Sequence, residues 1–371
     1  MKILTIIGTR PEIIKLSSVI QELDKYSDHI LAHTGQNFDY ELNEVFFKDL
    51  SVRKPDYFLN CSNKNTSTFI GNVISKTDKL IKKIKPDAFL IYGDTNSCLS
   101  VIAAKKNKIP IFHMEAGNRC FDQRVPEEVN RKIVDHLSDI NLTVSSHARE
   151  YLINEGLEPD RVIKIGSPML EVINKNLSKI HSSKILSKYN LKKNNYFLVS
   201  IHREENVDNS RNFKSLMETI NGIYNKYKAP IVISTHPRTR AKLQKGKYKF
   251  NNSIIFAKPF GFHDYNKLQI NAKCVISDSG TITEESSIFD IPAVMIRQAH
   301  ERPEGMEEGI LIMSGIDKTN TCKSIEILVS QKSKKRTTQM VKDYNVENVS
   351  KKVIRIIFSY TDFVNRNIWK K

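Results

Sequence analysis

A chain of 371 residues with 40% hydrophobic and 27% charged side chains has the composition of a globular protein with room for two domains of ordinary size. No apolar run approaches the eighteen or more residues of a membrane span, and ILTII after Lys2 is too short for a secretion signal, so a cytoplasmic chain without a membrane partner is expected. The formal charge of +17 is carried by lysines scattered singly or in pairs, without basic and aromatic residues alternating, which argues for a solvated surface rather than a nucleic-acid partner and leaves some positive potential for a nucleotide.

The first half alternates strand and helix. KILTII (Lys2–Ile7) reads as a buried strand, followed by a helix over Ile13–Tyr26. HILAHTG (His29–Gly35) is a second strand, and Asp39–Leu50 a second helix. A long helix, Ser67–Ile84, leads to the strand AFLIYGD (Ala88–Asp94), a helix over Ser97–Asn107 and a short strand, Ile109–Met114, with further units to about Met169. A polar segment rich in lysine and asparagine, 174–195, breaks the pattern and reads as a linker. Alternation resumes with YFLVSIH (Tyr196–His202), a helix at Asn212–Tyr227, PIVISTHP (Pro230–Pro237), SIIFA (Ser253–Ala257), CVISDSG (Cys274–Gly280), a helix from Thr281, and IPAVMIR (Ile291–Arg297). A last helical pattern covers Glu347–Tyr360. Strands alternating with amphipathic helices predict parallel sheets covered on both faces. The expected fold is α/β: two Rossmann-like domains, 1–173 and 196–345, facing each other across a cleft, with 346–371 a helical segment available to pack back on the first.

The five cysteines (Cys61, Cys98, Cys120, Cys274, Cys322) are odd in number, scattered and without metal-ligand spacing. They fit a reduced compartment and suggest neither disulfides nor zinc.

Chemistry collects at the carboxyl ends of the predicted strands, where open α/β sheets bind ligands. HMEAGNRCFDQRVPEEVNRKIVDH (113–136) places Glu115 at a strand tip and Glu127 in the first turn of a helix that Pro126 is suited to start. Carboxylates so placed suit moving protons on and off carbon; alternatively, Glu115 caps a turn and Glu127 complements the helix dipole. In YGDTNS, Asp94 stands at another strand end, as acid, base or orienting group, or as the cap of the next helix. GTRPEIIK (Gly8–Lys15) brings Arg10 and Lys15 near a helix amino end, which fits a phosphate or an ordinary turn with surface cations; the dinucleotide fingerprint G-x-G-x-x-G is absent. SIHREEN and THPRTR put His202 and His236 at equivalent strand ends, each near an arginine, as if for one anionic ligand. In SDSGTITEES, Ser279 and Gly280 form a small-residue turn into a helix whose free amides suit a diphosphate, with Glu284 and Glu285 one turn on and Arg302 nearby in ERPEG.

Together, GTRPEIIK, GDT (Gly93–Thr95), HMEAG, PEEVNR, SIHRE, DSGTITEE and ERPEG, in that order along nearly the whole chain, resemble the non-hydrolysing UDP-N-acetylglucosamine 2-epimerase family. The resemblance implies a GT-B-like fold of the UDP-glycosyltransferase and glycogen phosphorylase type, UDP bound chiefly by the second domain, a homodimer, and no cofactor or metal. It implies inversion at C2 of a UDP-2-acetamido sugar: UDP is eliminated to leave a 2-acetamidoglycal, then added back with the proton delivered to the other face. Opposite faces of one carbon need differently placed proton carriers. Carried over by motif, Asp94, Glu115 and Glu127 are those carriers and His202 stands near the leaving diphosphate. Arg10, Lys15, His236, Ser279, Gly280, Glu285 and Arg302 match positions that bind or neutralise UDP.

One departure narrows the expected sugar. The family's N-acetylglucosamine epimerases usually read LRT after EAG, whereas this chain reads NRCFDQRV. EAGNRCFDQRVPEE resembles the branch that makes UDP-N-acetyl-L-fucosamine, a capsule or O-antigen precursor, from UDP-2-acetamido-2,6-dideoxy-β-L-talose; a UDP-N-acetylglucosamine 2-epimerase is the alternative. Cys120, Phe121 and Val125 are expected as an apolar wall for the methyl group of the 6-deoxy sugar. TGQNFDYEL (Thr34–Leu42) departs from the family's effector-binding stretch, which argues against allosteric activation by UDP-N-acetylglucosamine. A glycosyltransferase of the same fold would need an acceptor, and a polyanion binder would not cluster its acids at these motifs.

Overall fold

A strand covered on both faces is mostly apolar, and AFLIY and the buried ILTII, with its one threonine, fit that pattern. A computed structural model describes residues 1–36, 40–201, 206, 209–235, 237–246, 248–333 and 335–371, the side chains of 40–43, 237, 238 and 245 excepted. The chain divides into two units, one made of residues 1–175 with 342–371 and the other of residues 176–341.

The first unit is built on a seven-stranded sheet: β1 (Lys2–Ile7), β2 (Asp28–His33), β3 (Tyr57–Phe58), β4 (Ala88–Tyr92), β5 (Ile111–Ala116), β6 (Ile140–Thr143) and β7 (Val162–Lys164). Every pairing is parallel, and the order β3-β2-β1-β4-β5-β6-β7 reverses between β1 and β4. That reversal opens a crevice at the carboxyl ends of the two strands, the usual ligand position in a doubly wound sheet. Its helices are α1 (Arg10–Tyr26), α2 (Tyr40–Asp49), α3 (Thr66–Ile84), α4 (Val101–Lys106), α5 (Pro126–Leu137), α6 (Ser146–Asn154) and α7 (Met169–Ser182), the last running on into the second unit. One face of the sheet packs Leu4, Ile6, Phe89 and Ile91 against Leu80, Ile81 and Ile84 of α3.

The predicted helix over Ser97–Asn107 begins instead as a 3₁₀ segment, Asn96–Ser100, and becomes α-helical only at Val101. At the far end of the chain, the helical pattern read as ending at Tyr360 continues to Asn367. Val349, Val353, Ile357 and Val364 form one buried seam there, and Val364 lies beyond the predicted end.

The second unit repeats the winding with α8 (Ile185–Lys188), α9 (Ser210–Tyr227), α10 (Pro237–Lys245), α11 (Phe262–Asn271), α12 (Thr281–Phe289), α13 (Pro303–Glu307) and α14 (Lys318–Gln331). Its six parallel strands are β8 (Phe197–Ile201), β9 (Ile231–Thr235), β10 (Ile254–Ala257), β11 (Cys274–Ser277), β12 (Ala293–Met295) and β13 (Ile312–Met313). The order β10-β9-β8-β11-β12-β13 reverses between β8 and β11. Along β8, Phe197 and Val199 join one core and Leu198 the other, so both faces of the strand are covered. Residues 174–195, expected as a connecting segment, carry most of α7 and all of α8, and Ile185 and Leu191 are buried in the second unit's core. The remaining helix, α15 (Val349–Asn367), returns to the first unit and packs against α1.

Both units are parallel α/β sheets, as the alternation predicts. No helix among the described residues is long and apolar enough to cross a membrane.

Candidate active site

In the first unit, three strand ends are laced together at the point where the order reverses. Thr34 Oγ1, after β2, lies 2.7 Å from Ser97 Oγ, after β4. Gly8, after β1, fills the space beside them, since a Cβ there would fall 2.0 Å from Ser97 Oγ and 2.4 Å from Thr34 Oγ1. Thr9-x-x-Glu12 is a helix-start pattern, and the Glu12 carboxylate turns back over the first turn of α1. It accepts from the Gly8 amide, from the Thr9 amide at 3.0 Å and from Thr95 Oγ1 at 2.6 Å. Burial pushes its pKa up to about 7, against the opposing pull of those hydrogen bonds. Arg10 is half-buried with its guanidinium carbon 5.9 Å from the centre of the Phe46 ring, whereas Lys15 is buried.

Asp94 does not cap the helix that follows it. Its Oδ2 accepts from Arg131 Nε at 2.8 Å, and its carbonyl accepts from Asn130 Nδ2 at 2.9 Å. These two side chains tie α5 to the end of β4. Glu127 sits half-buried in the first turn of that helix, one turn before Arg131. Its neighbour Glu128 is fully buried and accepts from the Cys120 amide at 3.2 Å, the Phe121 amide at 3.1 Å and Arg131 Nη1 at 2.8 Å. Burial pushes the Glu128 carboxyl up, but those hydrogen bonds outweigh it and hold the group below its ordinary value. The two acids of PEE are thus unequal, one half-open and one locked.

Glu115 was expected just past a strand ending at Met114. Instead β5 continues to Ala116, and its register with β6 slips between Met114 and Ala116. Glu115 occupies that bulge with φ at 63°, a left-handed conformation uncommon outside glycine. The Tyr92 hydroxyl donates to its Oε2 at 2.5 Å. Because β4 and β5 are paired neighbours, Asp94 and Glu115 close adjacent strands, and Asp94 is bonded to the helix that bears Glu127. Arg119, in the distinctive NRC stretch, is a buried strut bonded to Asp135 and Glu155 at 2.7 Å each.

In the second unit, β11 ends at Ser277 and is followed by Asp278, whose Oδ2 accepts from Asn206 Nδ2 at 3.0 Å. The Ser279 amide donates to Ser277 Oγ at 3.0 Å, and Gly280 leads into α12. Within α12, Glu284 is buried 3.2 Å from Arg302 Nη2, and Glu285 accepts from Gln269 Nε2 at 2.7 Å. Arg297, in the loop after β12, has Nη1 2.9 Å from Glu301 Oε2, close enough for an ion pair but not aligned as a hydrogen bond. Glu301 Oε1 reaches the start of α12, where a Cβ on Gly280 would fall 2.4 Å from it. His202 and His236 lie outside the described residues.

The model of the UDP-N-acetylglucosamine 2-epimerase family matches residues 21–358. The chain belongs to that family. It is similar to the UDP-N-acetylglucosamine 2-epimerase of Methanocaldococcus jannaschii, with 35% identity over 347 residues, 90% of this chain and 93% of that protein. It is 34% identical over 321 residues to the UDP-2,3-diacetamido-2,3-dideoxy-D-glucuronate 2-epimerase of Pseudomonas aeruginosa, covering 85% of this chain and 88% of the other. Among solved structures, UDP-N-acetylglucosamine 2-epimerase from Rickettsia bellii superposes with a TM-score of 0.94 at 52% identity over 100% of both chains. The chain is therefore a UDP-sugar 2-epimerase, an isomerase acting on carbohydrates, with a GT-B-like fold.

The epimerase sets side chains beside its motif residues that sequence reasoning passed over: Glu12, Tyr92, Arg131, Arg297 and Glu301. Two of them left a signal. Glu12 completes the Thr-x-x-Glu helix start, and Arg131 lies four residues after Glu127, on the same helical face. Tyr92 closes an apolar strand, and Arg297 and Glu301 lie in an irregular loop, so no periodicity marks them.

Proposed function

We propose that this epimerase inverts C2 of UDP-2-acetamido-2,6-dideoxy-β-L-talose to give UDP-N-acetyl-β-L-fucosamine, a precursor for capsule or O-antigen. The observation that carries the chemistry is the grouping of Asp94, Glu115 and Glu127 at two adjacent strand ends and the helix bonded to one of them. One carboxylate takes the C2 proton while the C1–O bond breaks and UDP leaves with the electron pair. The remaining 2-acetamidoglycal takes UDP back at C1 and a proton at C2 on the opposite face. Carriers on separate elements suit delivery from two directions.

The second unit supplies the grip on the diphosphate. Ser279 and Gly280 are half-exposed at the amino end of α12, where free amides and the helix dipole favour an anion. Arg10, Lys15, His202 and His236 are assigned to UDP by motif alone. Within the second unit, Glu285 and Arg302 are buried, so their part is to set the charge and shape beside α12.

The choice of a 6-deoxy sugar rests on the stretch before PEE. Phe121 is 70% exposed, holds a left-handed backbone with φ at 55°, and meets the Tyr151 ring edge-on at 5.3 Å. Glu128 binds the Cys120 and Phe121 amides, which fixes that apolar ring near the helix of Glu127. The second reading is a UDP-N-acetylglucosamine 2-epimerase forming UDP-N-acetylmannosamine, favoured by the names of the Rickettsia bellii and Methanocaldococcus jannaschii relatives. Incubating the purified chain with each UDP-sugar in deuterium oxide, with products read by NMR, separates them. The L-talo nucleotide is expected to give the L-fuco product with deuterium at C2; turnover of the D-gluco nucleotide alone would move the assignment to the second reading. The proposal includes a homodimer, to be read by light scattering.

A further inference from the structure

The amino end of α12 already has an anion beside it. Glu301, 8% exposed, brings Oε1 to within 2.4 Å of the place a Gly280 Cβ would occupy, so glycine is the residue that leaves room for the carboxylate. Its other oxygen faces Arg297, which is 1% exposed and has Nη1 3.7 Å from the same Gly280 position. None of the three Arg297 nitrogens makes an aligned hydrogen bond among the described residues. A guanidinium has five N–H donors, and burying them without acceptors is costly, so this arginine is set up for more acceptor oxygens than one carboxylate offers. The positive pole of a nine-residue helix points into the same space.

Building on the reading of this helix as the diphosphate seat, we propose that Glu301 is a resident counter-anion that exchanges places with the diphosphate. Without nucleotide, the carboxylate neutralises Arg297 and the helix pole. A diphosphate at Ser279 and Gly280 puts its own oxygens in that space, and two anions so close repel each other. Glu301 therefore swings aside, and Arg297 passes from carboxylate to phosphate. The swing is feasible because residues 296–302 form an irregular connection between β12 and α13, outside any helix or strand ladder. Arrival of nucleotide then changes the net charge of the seat less than simple addition would, and the returning carboxylate helps expel UDP.

The sign of one substitution decides the matter. Isothermal titration of the full chain with UDP, and with inorganic pyrophosphate as a probe lacking sugar and base, is compared for wild type, Glu301→Gln and Arg297→Gln. Loss of the competing charge is expected to tighten both ligands roughly tenfold in Glu301→Gln, and loss of the cation to weaken both by at least roughly tenfold in Arg297→Gln. Unchanged or weaker binding by Glu301→Gln overturns the exchange. If Glu301→Gln does not fold, Glu301→Asp, whose shorter side chain reaches the seat less well, must shift affinity in the same direction. A wild-type chain that binds neither UDP nor pyrophosphate would instead sink the parent reading of α12.

Discussion

Arg131 Nε stands 2.8 Å from Asp94 Oδ2 while Nη1 of the same guanidinium stands 2.8 Å from Glu128 Oε2. One side chain thus positions a strand-end acid and neutralises a fully buried one. Arg131→Ala leaves the buried Glu128 with its two amide donors but without its countercharge, which is expected to destabilise the protein by about 3 kcal/mol in urea melts. Arg131→Lys keeps the charge without the fork. It should fold, yet lose roughly tenfold or more in kcat with KM little changed. A wild-type kcat in the lysine variant would show that Asp94 needs no such positioning.

Glu115 and Asp94 are expected to act on the proton rather than on the nucleotide. Glu115→Gln and Asp94→Asn should each lower kcat by roughly two orders of magnitude or more, while the UDP Kd stays close to wild type. Tyr92→Phe removes the 2.5 Å hydrogen bond to Glu115 and should slow deuterium uptake at C2 by roughly tenfold. Near-normal epimerisation by both carboxylate variants would remove these residues from the chemistry.

Glu12 predicts a pH dependence of stability. Its ordinary pKa of 4.5 is raised to about 7 in the folded chain. Between those values the native state holds a proton that the unfolded chain has released, so this group makes stability fall as pH rises from about 4.5 to about 7, by about 3 kcal/mol. Above that window its contribution is level. Glu12→Gln should remove this part of the slope, shrinking the difference between urea midpoints at about pH 5 and about pH 8. An unchanged difference would mean that Glu12 is ionised throughout.

Two glycines should respond oppositely to alanine. At Gly8 a methyl group would collide with Ser97 Oγ and Thr34 Oγ1, so Gly8→Ala is expected to cost about 1–3 kcal/mol and to impair activity by disturbing the strand ends. Gly71 lies inside α3 with nothing within 4 Å of its Cβ position, so Gly71→Ala should stabilise the protein by about 0.5–1 kcal/mol. Thermal melts of the two variants should move in opposite directions.

The fold was legible wherever burial and period coincide. KILTII and AFLIY could hardly be other than covered strands, and the amphipathic segments between them fix the winding. Legibility failed where partners lie far apart in the chain. The bulge at Glu115 depends on how β5 pairs with β6, and nothing in HMEAG alone announces it. The lysine-rich look of 174–195 comes from its outer face, while Ile180 and Ile185 on the inner face are buried. At the candidate site the motifs named the acids but not what holds them. Asp94 meets Arg131 across 37 residues, and Glu12 meets Thr95 across 83, distances over which no local pattern reports.

The route of the chain has a consequence for how the protein is made. Asp343 pins the returning segment through the Ser146 amide at 2.9 Å and Lys164 Nζ at 2.7 Å, and α15 then lies along α1. The unit that carries the three acids is therefore assembled from chain on both sides of the second unit. During synthesis the second sheet can be completed while α1 still lacks its cover, and a truncation before Lys342 strikes the unit made earlier.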